Sequence, residues 1–217
     1  MEEIQKLLDG NREWVEKIKA EHPDFFSQLS QGQSPKFLWI GCSDSRVPAT
    51  EITNQLPGSI FVHRNIATLV LNSDFNLLSV LYYSLYVLII RDIIVVGHHH
   101  CGGVTAALNP KNLGFMEGWI GHIRNISRIH AAELLKLPTQ EDRIDRLCEL
   151  NVLEQVRHVC DTTFVQDAWT RGQRVVIHGW VYGLHNGIIK DLNITATGAA
   201  DVMPAYDQAL AAVKSRY

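Results

Sequence analysis

The chain has 217 residues, of which 46% are hydrophobic and 20% are charged, a composition typical of one globular domain spanning residues 1–217. A net charge of −3 excludes the strongly basic surface of nucleic-acid-binding proteins, so no nucleic acid partner is expected. The longest apolar run, 80–90, is too short to cross a bilayer, and the acidic start lacks the apolar stretch of a signal peptide. We therefore expect a cytoplasmic protein with no membrane partner.

The first predicted element is a helix over residues 2–20 that carries an apolar stripe along one side. The stripe consists of Ile4, Leu7, Leu8, Val15 and Ile18, with Trp14 beside it. Pro23 ends the helix. Residues 1–25 are thus expected to form a helical arm whose stripe packs either on its own domain or on a partner subunit.

Apolar runs alternate with amphipathic segments along the rest of the chain. Strands are predicted at 36–41, 59–64, 92–96 and 174–180, and an antiparallel edge strand at 188–194 follows the turn signal His185-Asn186-Gly187. Helices are predicted from Asp74 to about Ile90, over 115–135, over 140–160 and around Pro204. This alternation predicts an α/β fold. We expect a mostly parallel sheet of about four strands plus the antiparallel edge strand, flanked by helices.

Two of the predicted strands end in loops that are rich in metal-binding side chains. One is followed by Cys42-Ser43-Asp44-Ser45-Arg46, and another by Gly97-His98-His99-His100-Cys101-Gly102-Gly103. Ligands of open parallel sheets bind beyond the carboxyl ends of the strands, where neighbouring loops diverge. If these two strands are neighbours, Cys42 meets His98 and Cys101 there. Two thiolates and one imidazole leave the fourth tetrahedral position of zinc open, as in a catalytic site.

Other interpretations of these residues remain open at this point. Cys42 and Arg46 also fit a hydrolase with a thiolate nucleophile and an anion-binding guanidinium, although this leaves the His-x-x-Cys cluster unused. The three successive histidines could form an exposed metal-scavenging loop. Cys148 and Cys160 lie on predicted helix faces and are expected to be small buried apolar residues.

The two loop motifs resemble those of the β-class carbonic anhydrases. The resemblance covers nearly the whole chain and includes Gln33-Ser34-Pro35, Arg64-Asn65-Ile66-Ala67, Glu149-Leu150-Asn151-Val152 and His178-Gly179-Trp180. It implies one Zn²⁺ per subunit on Cys42, His98 and Cys101, with Asp44 and Arg46 as a hydrogen-bonded catalytic pair beside it. Matching positions imply a substrate pocket lined by Gln33, Phe61, Ile66, Tyr83 and Gly102.

The resemblance also implies an assembly and an activity. The assembly is an obligate dimer with active clefts at the subunit interface and the N-terminal arm on the partner, with a tetramer of two dimers as the preferred size. The activity is the reversible hydration of carbon dioxide to bicarbonate and a proton, a lyase reaction. Zinc-bound hydroxide would attack carbon dioxide while Asp44, held by Arg46, orients it. The alternatives are a carbon disulfide or carbonyl sulfide hydrolase on the same zinc site, a bicarbonate sensor with little turnover, and a structural zinc protein.

A narrower resemblance is to family members that have a non-catalytic bicarbonate site. Its residues match Trp39, Arg64 and Tyr182, whose indole N–H, guanidinium and hydroxyl suit an oxyanion. The simpler interpretation is a buried aromatic pair with a structural arginine. The resemblance implies allosteric inhibition by bicarbonate, with Asp44 leaving Arg46 to become the fourth zinc ligand in a closed state. The structure should therefore show either that state or Asp44 paired with Arg46.

Overall fold

The computed structural model describes residues 2–109 and 111–215, and the chain divides into two compact units, 1–34 and 35–217. The N-terminal unit contains the helices α1 (Glu2–Glu21) and α2 (Phe25–Ser30). Trp14 of α1 contacts Phe26 of α2 edge-on, with the ring centroids 5.7 Å apart, so these two helices pack on each other. The predicted first helix is confirmed.

The second unit is built on a five-stranded sheet. Its strands are β1 (Phe37–Cys42), β2 (Ile60–Asn65), β3 (Asp92–His98), β4 (Val176–Gly183) and β5 (Ile188–Ala196). They lie in the order β2-β1-β3-β4-β5, and all neighbouring pairs are parallel except β4 and β5, which are antiparallel. This confirms the predicted α/β fold. It also makes β1 and β3 neighbours, as the predicted metal site requires.

Helices connect and flank these strands. In chain order they are α3 (Ala49–Ile52), α4 (Phe75–Tyr86), α5 (Gly102–Leu108), α6 (Glu117–Ile129), α7 (Ala131–Leu134), α8 (Gln140–Cys160), α9 (Thr163–Thr170) and α10 (Val202–Lys214). Short 3₁₀ turns lie at Ile66–Thr68, Gly114–Met116 and Ala199–Asp201. The predicted helix at 140–160 is confirmed as α8. The predicted helix at 115–135 divides into α6 and α7 at His130.

Side chains fix where α4 and α8 begin. Asp74 accepts hydrogen bonds from the backbone N–H groups of Asn76 and Leu77 and so caps α4, which begins where the sequence predicted it. Thr139 and Asp142 form a reciprocal capping box at the start of α8, in which each side chain accepts from the other residue's backbone N–H. Both caps satisfy N–H groups that the first helical turn leaves unpaired.

The helix α4 is shorter than the sequence predicts, since it ends at Tyr86 and not near Ile90. The Leu88 N–H donates to the Tyr83 carbonyl, and Ile89 has a left-handed φ of 54°. These two features turn the chain out of the helix and towards β3. The continuous apolar run hides the turn because it contains no glycine or proline.

The long helix α8 packs directly on the centre of the sheet. A Cβ atom on Gly97 of β3 would come within 2.5 Å of Val152, and one on Gly179 of β4 would come within 2.9 Å of Val156. Glycine at both positions therefore allows the helix to approach the strands closely. The N-terminal half of α8 lies beside the loop after β3, because Asp145 accepts a hydrogen bond from the His100 N–H at 3.0 Å.

The two faces of the sheet carry different apolar clusters. Alternate residues of β1 and β3 point to opposite faces, so Leu38 and Ile93 join the main core with α8, whereas Trp39 and Ile94 join a smaller cluster. Val47, Ala49 and Val96 complete the smaller cluster. Within the described ranges, no helix has a stretch long and apolar enough to span a membrane.

Candidate metal centre

Three buried side chains converge where β1 and β3 end. Cys42 is the last residue of β1, His98 is the last residue of β3, and Cys101 directly precedes α5. Their ligand atoms all lie within 4.8 Å of one another, and the three residues are 5%, 1% and 3% exposed. Among the residues that the structure describes, this is the one group of three or more Cys, His, Asp or Glu side chains close enough to share a metal ion.

The imidazole of His98 is oriented for ligation through Nε2. Its Nδ1 lies 2.9 Å from the His99 carbonyl oxygen, which only accepts hydrogen bonds, so Nδ1 carries the proton. The lone pair is therefore on Nε2, a buried atom with no hydrogen-bond partner in the described structure. A buried nitrogen left unpaired in this way is expected where a metal ion completes the site.

The two thiols differ in acidity because they lie side by side. The Sγ atoms of Cys42 and Cys101 are 4.0 Å apart. A hydrogen bond from the Cys101 thiol lowers the pKa of Cys42 to about 4, and backbone N–H groups of Asp44 and Ala67 also lower it against the opposing effect of burial. The same hydrogen bond and burial raise the pKa of Cys101. Cys42 thus ionises before Cys101, and binding of a metal cation would displace the proton of Cys101.

The donor set fits zinc. Two thiolate sulfurs, each about 2.3 Å from a tetrahedral Zn²⁺, would be about 3.8 Å apart, close to the 4.0 Å found between Cys42 and Cys101. Sulfur and imidazole nitrogen are the ligands that zinc prefers in proteins. Three protein ligands leave one coordination position for water or substrate, as in catalytic zinc sites.

Asp44 and Arg46 form a two-pronged ion pair beside the ligands. Arg46 donates to Asp44 Oδ1 from its Nε at 2.9 Å and from its backbone N–H at 3.0 Å, and to Oδ2 from Nη2 at 2.7 Å. These bonds hold the pKa of Asp44 well below its usual range, although burial opposes them. Asp44 Oδ2 is also 3.7 Å from His98 Nε2. An ionised carboxylate therefore faces the metal centre, and its pairing with Arg46 is one of the two states predicted from the resemblance.

The predicted pocket residues lie in different parts of the structure. Phe61 of β2 and Tyr83 of α4 contact each other, with ring centroids 5.8 Å apart. Ile66 is 41% exposed and packs close to the start of α5, where Gly102 is the first residue. Gln33 is exposed on the N-terminal unit. The role of these residues as pocket lining stays a prediction.

The predicted bicarbonate residues lie on one face of the sheet. Gly41 is the register partner of Arg64, and the strand positions of Trp39 and Tyr182 point to the same face. The Trp39 indole lies over Gly41, where a Cβ atom would come within 2.3 Å of Nε1. Arg64 donates from Nε to the Cys42 carbonyl at 2.7 Å and from Nη2 to the Asp44 carbonyl. Tyr182 packs against the cluster that contains Trp39.

Two groups that support the metal ligands were not predicted. The backbone N–H of Ala67 lowers the pKa of Cys42, and Asp145 accepts from the His100 N–H in the ligand loop, where His100 has a φ of 52°. A backbone donor leaves no mark in the sequence. Asp145 is one of several charged residues in a helix, and no pattern distinguishes it. Cys148 and Cys160 are buried, as predicted.

Comparison with known proteins identifies the family. The carbonic anhydrase family model matches residues 37–189, which is more than half of the chain. A carbonic anhydrase of Emericella nidulans is 44% identical over 203 residues, covering 93% of this chain and 89% of the relative. A Coccomyxa β-carbonic anhydrase crystallised with acetazolamide superposes with a TM-score of 0.88 at 38% identity, covering 98% of each chain.

A further solved relative, from Sordaria macrospora, is one of two β-carbonic anhydrases described as tetrameric. It superposes with a TM-score of 0.86 at 33% identity, covering 90% of this chain and 100% of the relative. The matched region contains the strand ends that carry Cys42, His98 and Cys101. The chain therefore belongs to the β-class carbonic anhydrases, and its enzymatic activity is that of a carbonic anhydrase, a lyase.

Proposed function

We propose that the reversible hydration of carbon dioxide to bicarbonate and a proton takes place at one zinc ion per subunit, held by Cys42, His98 and Cys101. The observation that carries this proposal is the buried set of two sulfurs and one unpartnered imidazole nitrogen within 4.8 Å. Zinc bound there would act as a Lewis acid that makes water a nucleophile near neutral pH. The remaining steps depend on side chains of the chain itself.

Asp44 and Arg46 orient the nucleophile. The carboxylate stays ionised at all working pH values, because the Arg46 fork lowers its pKa, so it can accept a hydrogen bond from the attacking oxygen. Arg46 occupies both carboxylate oxygens and keeps the plane of the Asp44 group fixed. Directing one lone pair of the nucleophile at the carbon is the positioning effect that such charged pairs supply.

Replacing each metal ligand tests the proposal. We expect Cys42→Ala, His98→Ala and Cys101→Ala to lose stoichiometric zinc and carbon dioxide hydration together, measured by metal analysis and stopped-flow assay of the same samples. Cys160→Ala is the matched control, since it removes an equally buried thiol outside the cluster and should keep both. A ligand variant that retains full zinc and full activity would remove that residue from the set.

We further propose that bicarbonate inhibits the enzyme by binding Trp39, Arg64 and Tyr182. Trp39 is 1% exposed, and its indole N–H has no partner in the described structure, so a buried donor is available to an oxyanion. The Arg64 guanidinium supplies the positive charge that attracts the anion. It now binds the main-chain carbonyls of Cys42 and Asp44, so an anion that recruits Arg64 would release the loop carrying Asp44.

The released Asp44 would leave Arg46 and become the fourth metal ligand, which blocks the reaction. The movement is small, because Asp44 Oδ2 is already 3.7 Å from His98 Nε2. Bicarbonate favours this closed form only to the extent that it binds that form more tightly. We expect steep inhibition of the native enzyme by bicarbonate near neutral pH, relieved in both Trp39→Phe and Tyr182→Phe. Identical simple product inhibition in all three proteins would contradict the switch.

We propose that the chain forms a dimer through its N-terminal arm and that two dimers form a tetramer. The apolar stripe of α1 supports this, since Ile4, Leu7 and Leu8 are 64%, 70% and 53% exposed in the single chain. Contiguous exposed apolar side chains on one helix face are typical of an interface. The tetrameric relatives from Sordaria macrospora support the larger assembly.

A further inference from the structure

A strained turn lies between β2 and α4, beside the metal centre. Ala67 and Thr68 are consecutive non-glycine residues with left-handed φ values of 62° and 58°. A threonine rarely adopts this conformation, because its branched side chain crowds the backbone. Such strain persists only where the surrounding structure over-determines it. The turn is therefore held in place by hydrogen bonds and packing, including the Asn65 side chain, which bonds to the Leu69 N–H and carbonyl across the turn.

The strained turn lies against the end of β1, where a metal ligand stands. The Asn65 carbonyl, at the start of the turn, accepts from the N–H of Ser43, the residue after Cys42, at 2.8 Å. The Ala67 backbone lies near enough to the Cys42 sulfur to lower the pKa of that thiol. Cys42 and Asn65 are register partners at the ends of β1 and β2, so the turn begins next to that sulfur. Ile66, at the start of the turn, is one of the five residues predicted to line the substrate pocket. A change in the turn would therefore alter the surroundings of Cys42 and the predicted pocket wall together.

Two buried amide side chains of α8 hold the turn. Asn151 donates from Nδ2 to the Ala67 carbonyl at 2.9 Å, and its Oδ1 accepts from Gln155 Nε2 at 3.0 Å. Gln155 Oε1 accepts in turn from the Val70 N–H at 2.8 Å. Asn151 and Gln155 are 2% and 1% exposed, so each bond forms away from water. A satisfied buried network of this kind defines a single local geometry.

Two other helices, α6 and α5, contact the same turn. Trp119 of α6 donates from Nε1 to the Ile66 carbonyl at 2.8 Å. Gly103 of α5 lies so near that a Cβ atom there would be 2.9 Å from the Ala67 Cβ and 3.0 Å from Ile66 Cγ2. The carbonyls of Ile66 and Ala67 are thus both bound by side chains, and the turn has no room to relax towards α5.

We propose that Asn151 is a positioning residue for the metal centre. Its hydrogen bond to the Ala67 carbonyl, supported by Gln155, holds the Ile66–Thr68 turn against the end of β1, where Cys42 lies. Asn151 acts through Ala67 and not by contact with metal or substrate. The inference rests on the proposed zinc site and adds to it a residue from the middle of α8.

The test replaces Asn151 by leucine, which has a similar volume and no hydrogen-bonding group. We expect Asn151→Leu to release zinc to excess chelator about 10- to 100-fold faster than the native protein. This matches the effect of removing a hydrogen bond that supports a metal ligand. We also expect the thiolate-to-cobalt absorption of the Co²⁺-loaded protein to shift. Val159→Ala, a fully buried site on the same helix, is the control. It should lower the unfolding midpoint and leave zinc release and the cobalt spectrum unchanged.

A second variant covers the case in which Asn151→Leu does not fold. Asn151→Ala removes the amide without adding volume, so no side-chain donor reaches the Ala67 carbonyl. Native zinc release and a native cobalt spectrum in whichever variant folds would overturn the proposal. Failure of the proposed function is a separate outcome, because it would appear as a native protein that binds zinc without hydrating carbon dioxide. The cobalt comparison stays valid in that case.

Discussion

At the scale of single residues, the pairing of Asp44 with Arg46 determines what the metal centre can do. Three hydrogen bonds from Arg46 reach the two oxygens of one carboxylate, and they outweigh the burial that opposes its charge. The carboxylate therefore accepts hydrogen bonds and does not donate them. An amide at the same position would offer one accepting oxygen only and would turn its NH₂ group towards Arg46 or the metal.

We expect Asp44→Asn to keep its zinc and to lower the turnover number by a factor on the order of 10 to 100. This is the range found when a hydrogen-bonding side chain next to a metal site is removed. Arg46→Gln should lower it similarly, and the double variant should be no worse than the poorer single variant, because the two residues act as a unit. Stopped-flow hydration with parallel metal analysis measures all three. Unchanged turnover in Asp44→Asn would show that the carboxylate does not contribute to catalysis.

A second buried carboxylate, Glu154 of α8, stabilises the fold away from the metal. Burial raises its pKa, but the His130 imidazole 3.9 Å away and hydrogen bonds from Tyr206 and Arg157 outweigh burial and lower the pKa from 4.5 to about 2. Tyr206 lies on α10, so the carboxylate joins two helices. At about 1.4 kcal/mol for each tenfold change in proton affinity, this lowering corresponds to about 3 kcal/mol of stability at neutral pH.

This stabilisation is present above pH 4.5 and is lost as the pH falls towards 2, because the unfolded chain binds the proton first. We therefore expect Glu154→Gln to lower the free energy of unfolding at pH 7 and the gap from the native protein to narrow below pH 4.5. Denaturant unfolding at several pH values measures the gap, with the exposed Glu13→Gln as control. A gap of constant size from pH 7 to pH 3 would contradict this assignment.

The metal ligands were predictable from the sequence, whereas their supports were not. Cys42, His98 and Cys101 stand in two short motifs at strand ends, and the strand order puts those ends together. The N–H of Ala67 acts through backbone geometry, which no residue type reports. Asn151 has a side chain that signals hydrogen bonding, but its partner is 84 positions away along the chain, so its role depends on the packing of α8.

At the scale of elements, the long apolar and amphipathic runs predicted the five strands and the helices α1, α4, α8 and α10 to within a few residues. Short helices were missed, because four to eight residues carry too little periodicity to distinguish them from loops. The missed segments are α2, α3, α5 and α9. The helix α5 matters most among these, because it begins directly after Cys101 and fixes the end of the ligand loop.

The exposed stripe of α1 leads to a prediction about assembly. Deleting residues 1–20 should dissociate or precipitate the protein, because the proposed interface loses its apolar side chains. Leu7→Glu should weaken the dimer in the same way, while Gln5→Glu adds the same charge at an exposed site off the stripe and should leave it intact. Analytical ultracentrifugation with hydration assays measures both effects. A stable, active, monomeric truncation would refute the interface and the shared cleft together.

At the scale of the whole molecule, the fold brings two distant motifs to one edge of a parallel sheet. The sheet order places β1 beside β3, and α8 packs against the glycines that let it approach the strands closely. Cys42 thereby meets His98 and Cys101, which follow it by 56 and 59 positions along the chain, in one buried metal centre. The family match across residues 37–189 covers all of these features.

The most direct test of the central claim is a zinc titration of the metal-free protein, followed by stopped-flow hydration of carbon dioxide. We expect metal-free protein to be inactive and activity to rise linearly with added zinc up to one ion per chain, then to stay constant. The native protein and Cys160→Ala should give the same curve, and Cys101→Ala should remain inactive at every zinc concentration. Hydration that does not depend on zinc, or one bound zinc per chain without hydration, would contradict the proposed zinc mechanism.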